Sequence, residues 1–175
     1  YALADPLAPS LAVALSSCSR GLRRALAAPL KELKERRQKA EELCAFVGEG
    51  WSCDRLRNAM KLDWHLADVT AAHMETLGML LATNGLPQLQ ELNLVGNDIG
   101  DEAVQSLVGG LGRRALPKLT VLFLDFNSIG NAGAAALAAA LSRGAMPSLQ
   151  WLYLGGNMID DQGVIALAAL RKHTA

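Results

Sequence analysis

The sequence predicts an α/β repeat fold: strand–turn–helix–loop units at a 30-residue period, preceded by a helical segment that lacks the repeat. Three observations predict it. The stretches Leu89 to Gly100, Leu119 to Gly130 and Leu149 to Asp160 align without a gap at an offset of 30 residues. Within each, apolar residues first alternate, as on a half-buried strand, and then change to helical spacing. Pro87, Pro117 and Pro147 stand at one fixed distance ahead of the three motifs, marking where each helix has ended and the next strand begins.

In chain order, residues 5 to 47 come first and carry no repeat. Leu7, Leu11, Leu15, Cys18, Leu22 and Leu26 recur at steps of three and four, giving a helix with one apolar stripe. Pro29 marks its break, and a second helix is expected from about Leu30 to Val47, with Leu30, Leu33, Leu43, Phe46 and Val47 as its apolar residues. The middle of that helix, Lys31 to Glu42, is dense in both signs of charge. Glu32 and Arg36, and Glu35 and Lys39, stand at the favourable spacing of four. A solvated face is the plain reading of this run and a partner-docking helix the sharper one; both hold if these helices cap the open end of a repeat array. A short helix from about Cys53 to Ala59 would feed the first strand.

Leu62 to Val69 repeats the apolar positions 30 residues before the first full motif, but Ala67 stands where the others have asparagine, as in a degenerate terminal repeat. Trp64 takes an inward leucine position and is expected to fill the core at the boundary, with Trp51 packed nearby. In the regular units Leu92 and Leu94 face inward, and Asn97, Asn127 and Asn157 can satisfy backbone groups of the turn that leaves each strand, forming a ladder when the units stack. The helices that follow present Val104, Leu107 and Leu111, then Ala134, Leu137 and Leu141, then Val164, Leu167 and Leu170 on one face. Gly110, Gly112 and Gly144 punctuate the return.

Three consecutive copies in register resemble the leucine-rich-repeat family, specifically its ribonuclease-inhibitor-like class with long repeats; the resemblance covers about residues 59 to 175. It implies a solenoid with a curved parallel sheet on the concave face and helices on the convex face. The expected division is a helical cap over residues 1–58 and about four repeats over 59–175. The residues between inward leucines then form columns on the concave face: Lys61, Glu91, Val121, Trp151; Asp63, Asn93, Phe123, Tyr153; His65, Val95, Asp125, Gly155. Apolar and aromatic content rises along the columns. Glu91, Asn93, Val121, Phe123, Asp125, Trp151 and Tyr153 are accordingly expected to contact a partner, because exposed apolar patches with Trp and Tyr mark interaction surfaces.

Composition narrows the function classes. Lys plus Arg and Asp plus Glu both total 17, so no net charge steers the chain toward nucleic acid. No apolar run reaches the about 18 residues needed to span a bilayer; Leu7 to Cys18 is shorter and reads as an amphipathic helix, with a targeting remnant as the alternative. Three cysteines, Cys18, Cys44 and Cys53, are an odd number in a domain with a sizeable core, so reduced thiols and an intracellular, cytosolic location are expected. A bridge between Cys44 and Cys53 across the Gly48 and Gly50 turn stays open, and import into an organelle stays open too. His65, His73 and His173 have no metal-ligand spacing, Val108 to Gly112 lacks the lysine of a phosphate loop, and no nucleophile elbow appears. No enzyme activity, metal or cofactor is expected. The expected role is that of a protein-interaction or scaffold module for another protein. The alternatives are a structural subunit anchored in a larger assembly by its N-terminal helices and, by analogy with Ran-type GTPase-activating proteins that carry such repeats, a regulator of a small GTPase. Because the sequence stops at the helix of its fourth unit without an atypical closing repeat, the natural protein is expected to continue, or a partner to cover that end.

Overall fold

The computed structural model describes residues 20–48, 50–83 and 85–169. Helix α1 (Arg20–Val47) and the short α2 (Cys53–Arg57) precede four strand–helix pairs. These are β1 (Lys61–Asp63) with α3 (Ala71–Ala82), β2 (Glu91–Asn93) with α4 (Asp101–Gly109), β3 (Val121–Phe123) with α5 (Asn131–Ser142), and β4 (Trp151–Tyr153) with α6 (Asp161–Ala168). The strands lie in sequence order and every neighbouring pair is parallel. A parallel pair needs a long crossover, and each helix supplies it. The pairing keeps the 30-residue offset: Leu62, Leu92, Leu122 and Leu152 stand in one row.

Period-two alternation puts those leucines on the helix side. Leu62, Leu92 and Leu122 are fully buried, while their strand neighbours face away from the helices. Beyond the strands the inter-repeat ladder continues, with the amides of Trp64, Leu94 and Leu124 donating to the carbonyls of Asn93, Phe123 and Tyr153 at 2.9, 3.0 and 2.9 Å.

The turns after the strands are buried at Val69, Asn97, Ile99, Asn127 and Ile129, where backbone groups must find partners. Asparagine provides them. Asn127 Oδ1 accepts the Asn97 and Ile99 amides of the preceding repeat, both at 3.0 Å, and its Nδ2 donates to the carbonyls of Leu94 and Leu124. Asn97 does the same for Ala67, Val69, Trp64 and Leu94. A second link between repeats joins the helices. Asp101 Oδ1 accepts the Gly130 and Gly133 amides at the start of α5, at 2.7 and 2.8 Å, and Asn131 Oδ1 accepts the Asp160 and Gly163 amides at the start of α6, both at 3.1 Å. Each side chain satisfies amides that a helix N-terminus leaves free, but on the next helix rather than its own. The approach requires glycine: a Cβ at Gly133 would sit 2.6 Å from Asp101 Oδ1, and one at Gly163 2.6 Å from Asn131 Oδ1.

The N-terminal region departs from expectation. The apolar stripe from Leu7 to Cys18 lies outside the described residues, but Pro29 does not break the chain into two helices: α1 runs through it. Proline removes one amide and its ring crowds the preceding turn, while its fixed φ is itself helical. Beyond it Leu33, Ala40, Leu43 and Cys44 share a buried stripe, and that packing sustains the helix. Ala40, Leu43 and Cys44 join one continuous core with Leu56, Trp64, Met74 and Leu77. The charged run pairs within the helix, Arg36 with Glu32 and Arg37 with Glu41 at 2.8 Å. The expected Glu35–Lys39 pair is replaced: Glu35 faces Lys31 at 3.7 Å, and Lys39 reaches across to Glu75 of α3 at 2.9 Å. A carboxylate on the packed neighbour lies within reach of the long lysine stem, which no local spacing encodes.

Trp64 is buried as expected, edge-on to Phe46 with ring centroids 6.1 Å apart, and Trp51 packs against the same core. Val164 is the second correction. Its counterparts Val104 and Ala134 are fully buried, but Val164 is 56% exposed, because no further described helix stacks on α6. Leu167 is half-buried, and Leu170 lies outside the described residues.

Candidate partner-binding surface

The face of the sheet turned away from the helices is free of other elements among the described residues and divides into two halves. The first is polar and paired with itself. Lys61 Nζ lies 2.8 Å from Glu91 Oε1, and that bond raises the lysine pKa above its ordinary value. His65 Nδ1 lies 2.9 Å from Asp63 Oδ1, which also accepts from Asn93 Nδ2 at 2.9 Å. The contact with His65 holds the Asp63 carboxyl below its ordinary pKa.

The second half is aromatic. Register places Val121 beside Trp151 and Phe123 beside Tyr153. The Phe123 and Tyr153 rings stack with centroids 4.7 Å apart, and Trp151 lies nearly parallel to Tyr153 at 6.4 Å. Trp151 is 58% exposed and Tyr153 41%. Rings held on adjacent strands keep few rotamers to lose, so they offer large contact area at low entropic cost.

Of the seven residues expected to contact a partner, the structure therefore brings Val121, Phe123, Trp151 and Tyr153 into one cluster. Glu91 and Asn93 lie in the polar half, bonded to Lys61 and Asp63, and Asp125 accepts the Gly155 amide at 2.7 Å. These three have partners already, so their contribution to any contact begins with the loss of a bond.

Reading columns missed exposed apolar residues of the turns, Leu66 and Phe126 above all. Leu66 and Phe126, 74% and 71% exposed, occupy the turn just after β1 and β3 with φ of 52° and 53°. Gly96 and Gly156 hold the same turn position in the other two repeats, both at φ 68°. Positive φ is uncommon for a bulky side chain and costs energy. Each large residue lies over the glycine of the next repeat: a Cβ at Gly96 would come within 2.6 Å of Leu66 Cδ2, and one at Gly156 within 2.7 Å of Phe126 Cδ1. The signal was in the sequence, as the alternation Leu66, Gly96, Phe126, Gly156 at the 30-residue offset.

Among the described residues no three His, Cys, Asp or Glu side chains are grouped to hold a metal ion, and no helix is long and apolar enough to cross a membrane. Residues 86–108, 115–138 and 145–168 each match the family model described as Leucine Rich repeat. The three matched segments are leucine-rich repeats, and they are the second, third and fourth strand–helix units. No curated protein matches the chain.

Proposed function

We propose that this leucine-rich-repeat chain is a non-catalytic binding module of the ribonuclease-inhibitor-like kind, which holds a partner protein against the open, concave face of its sheet. Leucine-rich repeats generally mediate protein–protein interaction. The observation that carries the finer reading is the cluster of Phe123, Trp151 and Tyr153, stacked across β3 and β4 with Trp151 and Tyr153 exposed and Phe123 half-buried, on the face that no described helix covers. Large aromatic residues concentrate binding energy where they are desolvated by a partner, which accounts for Trp151 and Tyr153 standing in water beside the half-buried Phe123. Phe126 extends the apolar area at the strand ends. The paired polar half fits a rim, where charged groups keep their own partners and add selectivity more than affinity.

The test compares three forms of the chain in affinity capture with quantitative mass spectrometry. The Phe123→Ala, Trp151→Ala, Tyr153→Ala variant is expected to lose at least tenfold of the wild-type partner signal, as removal of hot-spot residues worth about 2 kcal/mol each predicts. A helix-side control, Gln105→Ala, is expected to retain it. Identical partner profiles for wild type and the triple variant, both folded by circular dichroism, refute the assignment.

A further inference from the structure

A crevice of about 360 Å³ lies between the end of α1 and the start of α2, away from the sheet face, and both Cys44 and Cys53 line it together with Arg37, Glu41 and Trp51. Both cysteines are free thiols. The chain between them makes a tight turn: Gly48 and Gly50 adopt φ of 135° and 80°, and the Trp51 amide donates to the Gly48 carbonyl at 3.3 Å. Glycine permits both conformations. The turn returns Cys53 to the first residue of α2, beside the last turns of α1, so that both cysteines line one crevice. Cys44 is buried at 3% exposure, whereas Cys53 is open in part to solvent.

We propose that Cys44 and Cys53 are a thiol pair oxidised reversibly to a disulfide by low-molecular-weight disulfides such as glutathione disulfide, fastening α1 to α2 at the edge of the first repeat. The asymmetry of exposure sets the order of events. The accessible Cys53 sulfur, as thiolate, attacks one sulfur of glutathione disulfide; that S–S bond breaks, and the first glutathione leaves and takes up the proton that Cys53 gave to solvent. Cys44 then loses its proton and attacks Cys53 Sγ. The second glutathione leaves, taking up that proton. Two protein thiols have become one disulfide, and one glutathione disulfide has become two glutathione thiols.

Burial, with the neighbouring Cys53 and Glu41, pushes the Cys44 thiol up to about 12, so it stays protonated and is protected from direct attack. The second step is consequently the slow one. Because Ala40, Leu43 and Cys44 belong to the same core as Trp64 and Met74, fastening α1 to α2 restrains the helix that covers the first repeat. The sheet face that carries the aromatic cluster is untouched, so this pair stands whether or not the concave-face reading does.

The test uses the full chain carrying Cys18→Ser, reduced and then exposed in its folded state to glutathione disulfide, with remaining thiols alkylated before digestion by trypsin. Cys44 and Cys53 fall in one tryptic peptide, residues 40–55, between Lys39 and Arg55. The expected peptide is lighter by two hydrogens and carries no alkyl group, and the melting midpoint rises by several degrees and returns on reduction. Cys53→Ser in the same background is expected to melt with the reduced form and to show no shift with glutathione disulfide. Alkylation of both cysteines, a glutathione adduct that persists on Cys53, or a bridged peptide with an unmoved midpoint overturns the proposal.

Discussion

The third and fourth repeats carry interchangeable motifs and live in different environments. Leu122, Leu124 and Ile129 are buried completely, whereas Leu152, Leu154 and Ile159 at the same positions are only half-buried. Asn127 accepts two amides of the preceding repeat, whereas Asn157 accepts that of Ile129 at 3.1 Å. Asp101 and Asn131 each bind two amides of the following helix, but Asp161, which occupies the same position in the last unit, has no described helix after it to bind. A repeat's own residues thus make the strand, turn and helix, while the neighbour on its C-terminal side completes the burial. Stability in such an array is largely an interface property.

The sharpest way to break this comparison is truncation of equivalent leucines. Leu122→Ala is expected to cost about 3–4 kcal/mol, because it leaves a cavity in a closed core, and Leu152→Ala about 1–2 kcal/mol, because its surroundings already reach solvent. Urea denaturation read by circular dichroism measures both, and equal losses would mean that the last repeat is as closed as the third.

The asparagine ladder gives the next largest contrast. Asn127→Ala strands buried amides and carbonyls of two repeats and is expected to destabilise by about 2–3 kcal/mol, against about 1 kcal/mol for Asn157→Ala. Chemical denaturation midpoints decide it, and hydrogen exchange at the Asn97 and Ile99 amides should report the same loss locally.

A smaller effect is expected at the helix links. Removing the Asp101 carboxylate with Asp101→Ala should cost about 1–2 kcal/mol, the ordinary worth of a helix N-terminal cap, whereas Asp161→Ala should cost less than about 0.5 kcal/mol. Asp101→Asn tests the mechanism, since Asn131 does the same work one repeat later. Thermal melts of the three variants should rank Asp101→Ala lowest and leave the other two close to wild type.

The smallest effect lies at the other end of the array, where α1 covers the first repeat. His73 Nδ1 accepts the Thr70 amide at 3.2 Å while Thr70 Oγ1 accepts the His73 amide, a reciprocal cap at the start of α3, and the ring packs on Phe46 with centroids 3.8 Å apart. Burial lowers the His73 pKa, so the folded state favours the neutral ring. Its contribution is present above the ordinary value of 6.5 and is lost as pH falls below that and through the folded value. Melting curves between pH 7 and 5 are expected to show a modest decline that His73→Gln, which keeps an acceptor at the cap without the titration, removes.

Much of the fold was legible because its decisive contacts recur at one offset. Leucine alternation, the asparagine and the helix spacing are local patterns, and three copies in register made their meaning plain. The proposed binding face was legible in part: the columns follow from period two, and the stacking of Phe123 on Tyr153 follows from the columns. Leu66 and Phe126 escaped because their exposure depends on a left-handed turn whose glycine alternates with bulky residues. The continuity of α1 through Pro29 escaped because a local breaker was weighed without the buried stripe beyond it. Lys39 pairs with Glu75 rather than Glu35 because spacing of four is visible along a chain and the approach of a packed neighbour is not.

By itself the sequence determined an α/β repeat of 30 residues, the identity of its inward leucines and the asparagine that closes each turn, since these are set by backbone periods and by hydrogen-bonding needs that every copy shares. Among the described residues, tertiary structure alone decided which copies a following unit covers. It decided that Asp101 and Asn131 serve the helix after their own, that Val164 meets solvent where Val104 does not, and that Cys44 and Cys53 share a crevice. The physical reason is that burial, desolvation and the reach of a side chain belong to neighbours in space, and two identical motifs acquire different energies when only one of them is covered.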